Sequence, residues 1–382
     1  MARASADAAR AADRPLLALS IGCPSGVGPE VAVSAAAACR EAACLLVGDG
    51  RVIGRAAALR GVSSRRMVEV DSAAAARLLA PGKVAFWSGS TPLRGDAPPG
   101  KPTREAGRAQ LAWIDEGTEL VRSGDADALV TGPVSKAAIA RSGAPGARAF
   151  RGHTEHLMAT LGASEVVMAF HGGGLTTALA TTHLALARVP AAVTPEAVAR
   201  ATFWLADLLC RLGTKRPRLA VAALNPHAGE AGLLGDEEQR RIVPGMRLAT
   251  KRMERAGINA ELLGPVGAET AMRLGASGKV DGVVAMYHDQ ATIACKLTGF
   301  GEAVNVTLGL PIIRTSVDHG TGYDVAGTGK ADDAGMRAAL ELGAALARAA
   351  RRVGASERST AVRRGARQPH QRAAVAGERR AR

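Results

Sequence analysis

Aromatic side chains make up only 3% of this 382-residue chain: two Tyr, three Trp and five Phe. So few rings offer little platform for stacking the bases of single-stranded nucleic acid. Cysteine is scarce and odd in number. Cys23, Cys39, Cys44, Cys210 and Cys295 are scattered and form no CxxC pair, so neither a zinc ribbon nor a disulfide framework is indicated. That usage fits a reducing cytoplasm. No apolar run approaches the roughly 20 residues of a membrane span, and no membrane partner is expected. The opening MARASADAARAADR has no apolar signal core and contains Asp7 and Asp13, so it reads as a disordered lead-in.

What is present is an apolar body with a basic end. Hydrophobic residues reach 47%, enough for one large or two medium globular domains. The net charge is +14, but residues 351–382 carry ten Arg and two Glu, so +8 of it lies in the tail. The tail is expected to be solvated and disordered. The remaining +6 suits an enzyme for anionic substrates better than a nucleic-acid partner.

Short apolar stretches alternate with helical patterns. Strands are predicted at 16–21, 44–47, 83–87, 127–131, 166–170, 177–182, 218–224, 281–286 and 303–307. Helices are predicted near 29–42, 104–123, 195–212, 237–256 and 332–350. Thr194-Pro195-Glu196 and Asp236-Glu237-Glu238 read as helix starts, each a capping residue followed by acid. The alternation predicts an α/β fold with a largely parallel sheet.

The residues able to carry chemistry cluster just past strand ends, where open α/β sheets place ligands. His183, His227 and His288 each follow an apolar strand. Three neutral imidazoles with an open position could hold a divalent cation that also binds substrate. Singly, each could be a locally packed histidine; the shared context favours metal. Gly152-His153-Thr154-Glu155 reads as an anion-binding helix start or as an ordinary capping box. Gly22-Cys23-Pro24-Ser25-Gly26-Val27-Gly28-Pro29-Glu30 matches neither GxGxxG nor the GxxxxGK[ST] loop, and is as readily a tight strand-to-helix turn as a ligand contact. Lys136 could face a cleft or solvent. Cys23 reads as a small packed side chain rather than a nucleophile. From Val283 to Asp333, Lys296, Asn305, Arg314, Asp318 and His319 are spread through Gly-rich turns, a pattern that suits an active-site floor.

GCPSGVGPE, TGPVSKAAI, GHTEHLM, ALATTHLAL, LNPHAGEAGLLGDEE, AMYHDQ and GFGEAVNVTLGLPIIRTSVDHGT through AGTGKAD occur in one order over residues 16–350. Together they resemble the 4-hydroxythreonine-4-phosphate dehydrogenase family of pyridoxal phosphate biosynthesis. The resemblance implies a two-domain α/β/α fold like that of isocitrate-type dehydrogenases, with the active site in the interdomain cleft. The expected domains are 15–133 plus 285–350 and 134–284, flanked by disordered basic ends at 1–14 and 351–382. It also implies a homodimer with a shared active site, and metal ligands at His183, His227 and His288, the last from the partner. Substrate positions are then His153, Thr154, Lys296, Asn305 and Arg314. Lys296, with Asp289 second, is the expected proton-transfer residue. NAD (or NADP) is expected along Gly309–Gly329 without the usual fingerprint, beside one ion of Zn, Mg, Mn or Co. Cys23, Ala185 and Glu269 depart from the family pattern. They leave open a related branch acting on D-threonate or D-erythronate 4-phosphate. A metal-dependent phosphate-ester hydrolase is the remote alternative from another enzyme class.

Overall fold

A computed structural model describes residues 14–299 and 301–366, with side chains as far as Val353. Twelve strands form one sheet: β1 (Leu16–Ser20), β2 (Ala43–Val47), β3 (Met67–Val70), β4 (Val84–Trp87), β5 (Ala128–Thr131), β6 (Val167–Gly172), β7 (Leu175–Leu179), β8 (Arg218–Ala222), β9 (Glu261–Val266), β10 (Gly282–Ala285), β11 (Val304–Leu308) and β12 (Arg314–Ser316). Their spatial order is β3-β4-β2-β1-β5-β12-β11-β6-β7-β10-β8-β9. The first six run parallel, and so do the last four. The two parallel portions are joined through β11 and β6, and only β12–β11, β11–β6 and β6–β7 pair antiparallel. The α/β, largely parallel expectation therefore holds.

The composition of the strands explains the layering. LLALS in β1 and ACLLV in β2 are buried at every position, as strands covered by helices on both faces must be. Helix Arg104–Arg122 starts where the Thr103 hydroxyl accepts the Ala106 N–H. Helix Pro195–Arg211 starts as predicted, with Thr194 capping Ala197 and Pro195 in the first turn. The other expected start does something else. Chain from Glu238 to Ile242 forms a π-helical turn before helix Val243–Arg255. Glu238 is buried and accepts the N–H groups of Leu224 (2.9 Å) and Asn225 (2.8 Å). Its carboxylate is thus used on the loop before His227, not as a solvent-facing first-turn acid.

Strands β3, β9 and β12 have no counterpart in the sequence reading. β9 is half-buried and contains Gly264-Pro265, which belongs at a sheet edge and masks the pattern. β12 is only three residues long. Helix His288–Thr298 packs on β7, β6 and β10, and the chain then enters β11. The last helix runs Ala334–Ala366, so residues 351–366 are helical where disorder was expected. Arg351 is anchored at the start of that stretch, donating from Nε and Nη2 to the two oxygens of Asp127 at 2.9 and 2.8 Å. Residues 1–13 and 367–382, the rest of the expected basic ends, lie outside the described residues.

Candidate active site

A cavity of about 310 Å³ opens where β5, β11 and β12 meet helices His153–Thr160 and His288–Thr298. It collects His153, Thr154, Lys296, Asn305 and Arg314, all five of the expected substrate positions. Lys136, Glu155, Asp318 and His319 also line it.

Arg314 lies at its floor, on β12. Its residue is 3% exposed, and its guanidinium donates to the hydroxyls of Thr307 (2.9 Å) and Thr131 (2.7 Å). Among the described residues no carboxylate comes within ion-pair distance of it, and its Nε is buried without a partner. Burial pulls its pKa down to about 10, with Glu155 opposing. A buried cation satisfied only by neutral hydroxyls is costly unless an anion completes the site. Two more buried polar atoms are left open in the same cavity: Nε2 of His153 and Oδ1 of Asn305. Burial, reinforced by Arg314, His156 and Lys136, pushes the His153 pKa well below the usual imidazole value. It is therefore neutral. Thr154 Oγ1 lies 3.5 Å from Thr307 Oγ1, tying the helix start to the hydroxyl that holds Arg314.

Histidines from two of the three strand ends meet here. The rings of His183 and His288 lie 5.2 Å apart, centroid to centroid. Burial, then Lys136 and His288, depress the His183 pKa, which keeps the ring in its ligating form. His288 Nδ1 lies 2.7 Å from Asp289 Oδ1. A carboxylate at one ring nitrogen leaves the other available to a cation, the usual support for a metal-binding imidazole. Asp289 is 72% exposed at its side chain, which suits orienting His288 better than proton transfer. The family resemblance implied that His288 comes from a partner; within one chain it stands beside His183. His227 is the one held apart: it does not line the cavity and begins a left-handed run, φ +52° at His227 to +57° at Ala231. Among the described residues of one chain, no three His, Cys, Asp or Glu side chains group as a metal cage.

Lys296 pairs with Asp318 at 3.7 Å, and burial raises the Asp318 pKa against the pull of Lys296. Both residues, with His319 and Gly320, are shared with a second cavity of about 340 Å³. Its other walls include Val27, Gly322, Val325 and Gly335. Of the stretch expected to hold the dinucleotide, Asp318 to Val325 supplies this wall, while Arg314 to Val317 faces the first cavity. Sequence reasoning missed Thr307, because a strand threonine carries no signal until its partner is known. It also passed over Glu155, and left Lys136 open although TGPVSK placed it directly past β5.

Residues 40–343 match the pyridoxal phosphate biosynthetic protein PdxA family. This chain belongs to that family. It is 43% identical to the 4-hydroxythreonine-4-phosphate dehydrogenase of Aromatoleum aromaticum over 336 residues, covering 88% of this chain and 97% of that one. The enzyme of the same name from Geobacter metallireducens is 42% identical, covering 88% and 96%. Among solved PdxA-family structures, the 4-hydroxythreonine-4-phosphate dehydrogenase of Klebsiella pneumoniae superposes with a TM-score of 0.74 at 33% identity, over 87% of this chain and 99% of that one. A terephthalate 1,2-cis-dihydrodiol dehydrogenase from Burkholderia xenovorans superposes at 0.60 with 30% identity, over 87% and 98%. PdxA membership accounts for the order of the motifs. The neighbour from Burkholderia xenovorans has a substrate of a different kind by its name.

Proposed function

We propose that this protein oxidises 4-phosphohydroxy-L-threonine at its secondary hydroxyl with NAD (NADP as the alternative acceptor) and decarboxylates the product to 3-amino-2-oxopropyl phosphate. The observation that carries the reading is Arg314, a buried guanidinium with no carboxylate partner among the described residues, set in one cavity with His153, Lys296 and the His183–His288 pair. Its fork is built for a phosphate or carboxylate, and Thr131 and Thr307 fix its plane before substrate arrives. Neutral His153 and Thr154 would take other oxygens of the same anion. Asn305 Oδ1, an unpaired acceptor, fits the substrate ammonium or hydroxyl.

The donor chemistry of His183 and His288 fits a divalent ion of the Zn, Mg, Mn or Co kind, with His227 as third ligand. Such an ion, held there, would acidify a hydroxyl and polarise a ketone, and NAD would supply the hydride acceptor. The chain's own residues do the rest. Arg314 and His153 hold the anionic end, so that the reacting carbon faces the second cavity. Lys296 stands between the two cavities, where its ammonium can protonate the carbon that loses CO2. Asp289 orients His288, and Asp318 holds Lys296 in place.

His227 stands outside the single-chain cavity, which supports a homodimer in which one copy completes the other's cation site. Leu184 and Leu186 after His183, Leu233 and Leu234 after His227, and Ile293 and Leu297 after His288 are exposed in the single chain. Apolar side chains beside all three histidines fit a surface covered by a second copy. We read the two parallel portions of the sheet as two domains flanking the cleft, near the expected 15–133 plus 285–350 and 134–284. We read the protein as cytoplasmic, which the phosphorylated substrate proposed for it supports. No helix among the described residues is long and apolar enough to cross a membrane.

NADH formation by purified protein with added metal tests the reading, with D-threonate and D-erythronate 4-phosphates alongside the threonine compound. Turnover of the threonine compound alone supports it. Turnover only of a sugar-acid phosphate keeps the mechanism and overturns the substrate. Phosphate release without NADH would make the site a hydrolase.

A further inference from the structure

The turn Gly22–Glu30 reads from sequence as either a bare structural turn or a ligand contact. The structure gives it a third role. It grips the Gly-rich segment 319–329 at successive points. The Val27 N–H donates to the Thr321 carbonyl at 2.9 Å. Cys23 Sγ lies 3.5 Å from the Tyr323 hydroxyl. Glu30 Oε1 accepts the Gly327 N–H at 2.6 Å, and its Oε2 accepts the Gly329 N–H at 3.1 Å. The approach is close enough that a Cβ at Gly26 would lie 2.5 Å from the Thr321 carbonyl oxygen.

Glu30 is the anomaly in this grip. It is 4% exposed, and among the described residues it enters no ion pair. A buried carboxylate without a cation is retained only if its hydrogen bonds are made, and an apolar side chain would fill the position more cheaply. Both its oxygens go to amides of glycines in left-handed conformation, φ +80° at Gly327 and +70° at Gly329. The loop's own bonds are local: Val325 and Ala326 bond back to Gly322, Thr328 to Val325 and Lys330 to Thr328, while from outside Arg60 Nη1 donates to the Gly329 carbonyl at 2.6 Å. Two amides that look free to cradle a phosphate are therefore already used.

We propose that Glu30 is a positioning residue for the dinucleotide: it pins Gly327 and Gly329, and so fixes the Gly320–Val325 wall of the second cavity. The proposal rests on reading that cavity as the dinucleotide site. Glu30 touches no substrate and transfers no proton. Its effect belongs to dinucleotide affinity and not to the binding of the phosphorylated acid.

The test is Glu30→Gln, nearly isosteric but left with one acceptor for two N–H donors. Full-length wild type and variant are compared by hydrogen exchange of peptides spanning 321–330, and by calorimetric titration with NAD. The expected result is exchange in that segment faster by roughly tenfold, and an NAD Kd weaker by roughly tenfold. KM for NAD rises with it, while KM for the phosphorylated acid stays within about twofold. Glu30→Asp keeps both acceptors and recovers part of the loss; it also serves as the readable variant if Glu30→Gln does not fold. Unchanged exchange overturns the proposal. Faster exchange with unchanged NAD affinity also overturns it, because the clamp is then only structural. A wild type that binds no NAD removes the cofactor reading and the proposal together, and the exchange data still show whether the clamp itself exists.

Discussion

At the scale of the residue, Arg314 separates burial from pairing. Threonine hydroxyls on two strands hold it, and among the described residues no carboxylate, Glu155 included, comes within ion-pair range of it. Replacing it by Met removes a buried cation, so thermal stability should hold or rise. KM for the phosphorylated substrate should rise by roughly a hundredfold or more, since a desolvated charge contact is worth about 3 kcal/mol. Arg314→Lys keeps the charge without the fork and should recover only a small part. Steady-state kinetics beside a thermal melt checks both halves; a collapse in stability with unchanged KM would make Arg314 structural. His227 gives the companion prediction. Chelation should abolish NADH formation and added divalent ion should restore it, and His227→Ala should lose that restoration while remaining folded. Metal content measured on the purified variant decides it.

At the scale of the element, the ion cluster at the start of β5 ties the final helix to the sheet. Asp127 accepts from Arg351, Arg77 and the Leu16 N–H. Burial alone would raise its pKa, but these donors together hold it below the ordinary carboxylate value. A depressed pKa means the stabilisation is fully present above the unfolded value of about 3.9 and is lost as pH falls through the folded one. Asp127→Asn should therefore cost about 1–3 kcal/mol near neutral pH. The gap to wild type should narrow as the pH drops below about 4, because the wild type then loses what the variant never had. Denaturant melts at several pH values test this, and a gap that widens on acidification would refute it. The same cluster anchors the start of a tail segment that composition alone would leave disordered. Its first residue has a carboxylate waiting for it 224 positions away in sequence.

At the scale of the whole molecule, the exposed leucines beside the three histidine motifs set the next expectation. Leu233→Glu with Leu297→Glu should weaken self-association and reduce metal content in parallel, since each apolar anchor carries about 2 kcal/mol of an interface. Sedimentation velocity measures the first and metal analysis the second; a wild type that is monomeric yet fully loaded with metal would sink the shared site. Much of this molecule was legible in one dimension. The apolar runs announced buried parallel strands, the ordered motifs announced the family, and the family resemblance implied one site for His153, Thr154, Lys296, Asn305 and Arg314. Local pattern suffices for the strands, because burial on two faces is written in contiguous residues. What required the tertiary structure was every relation between distant segments. Glu238 supports the loop before His227, Glu30 pins Gly327 and Gly329, threonines on two strands hold Arg314, and His288 stands by His183 while His227 does not. A hydrogen bond between distant segments leaves no periodicity in either of them, so only the folded chain could decide these.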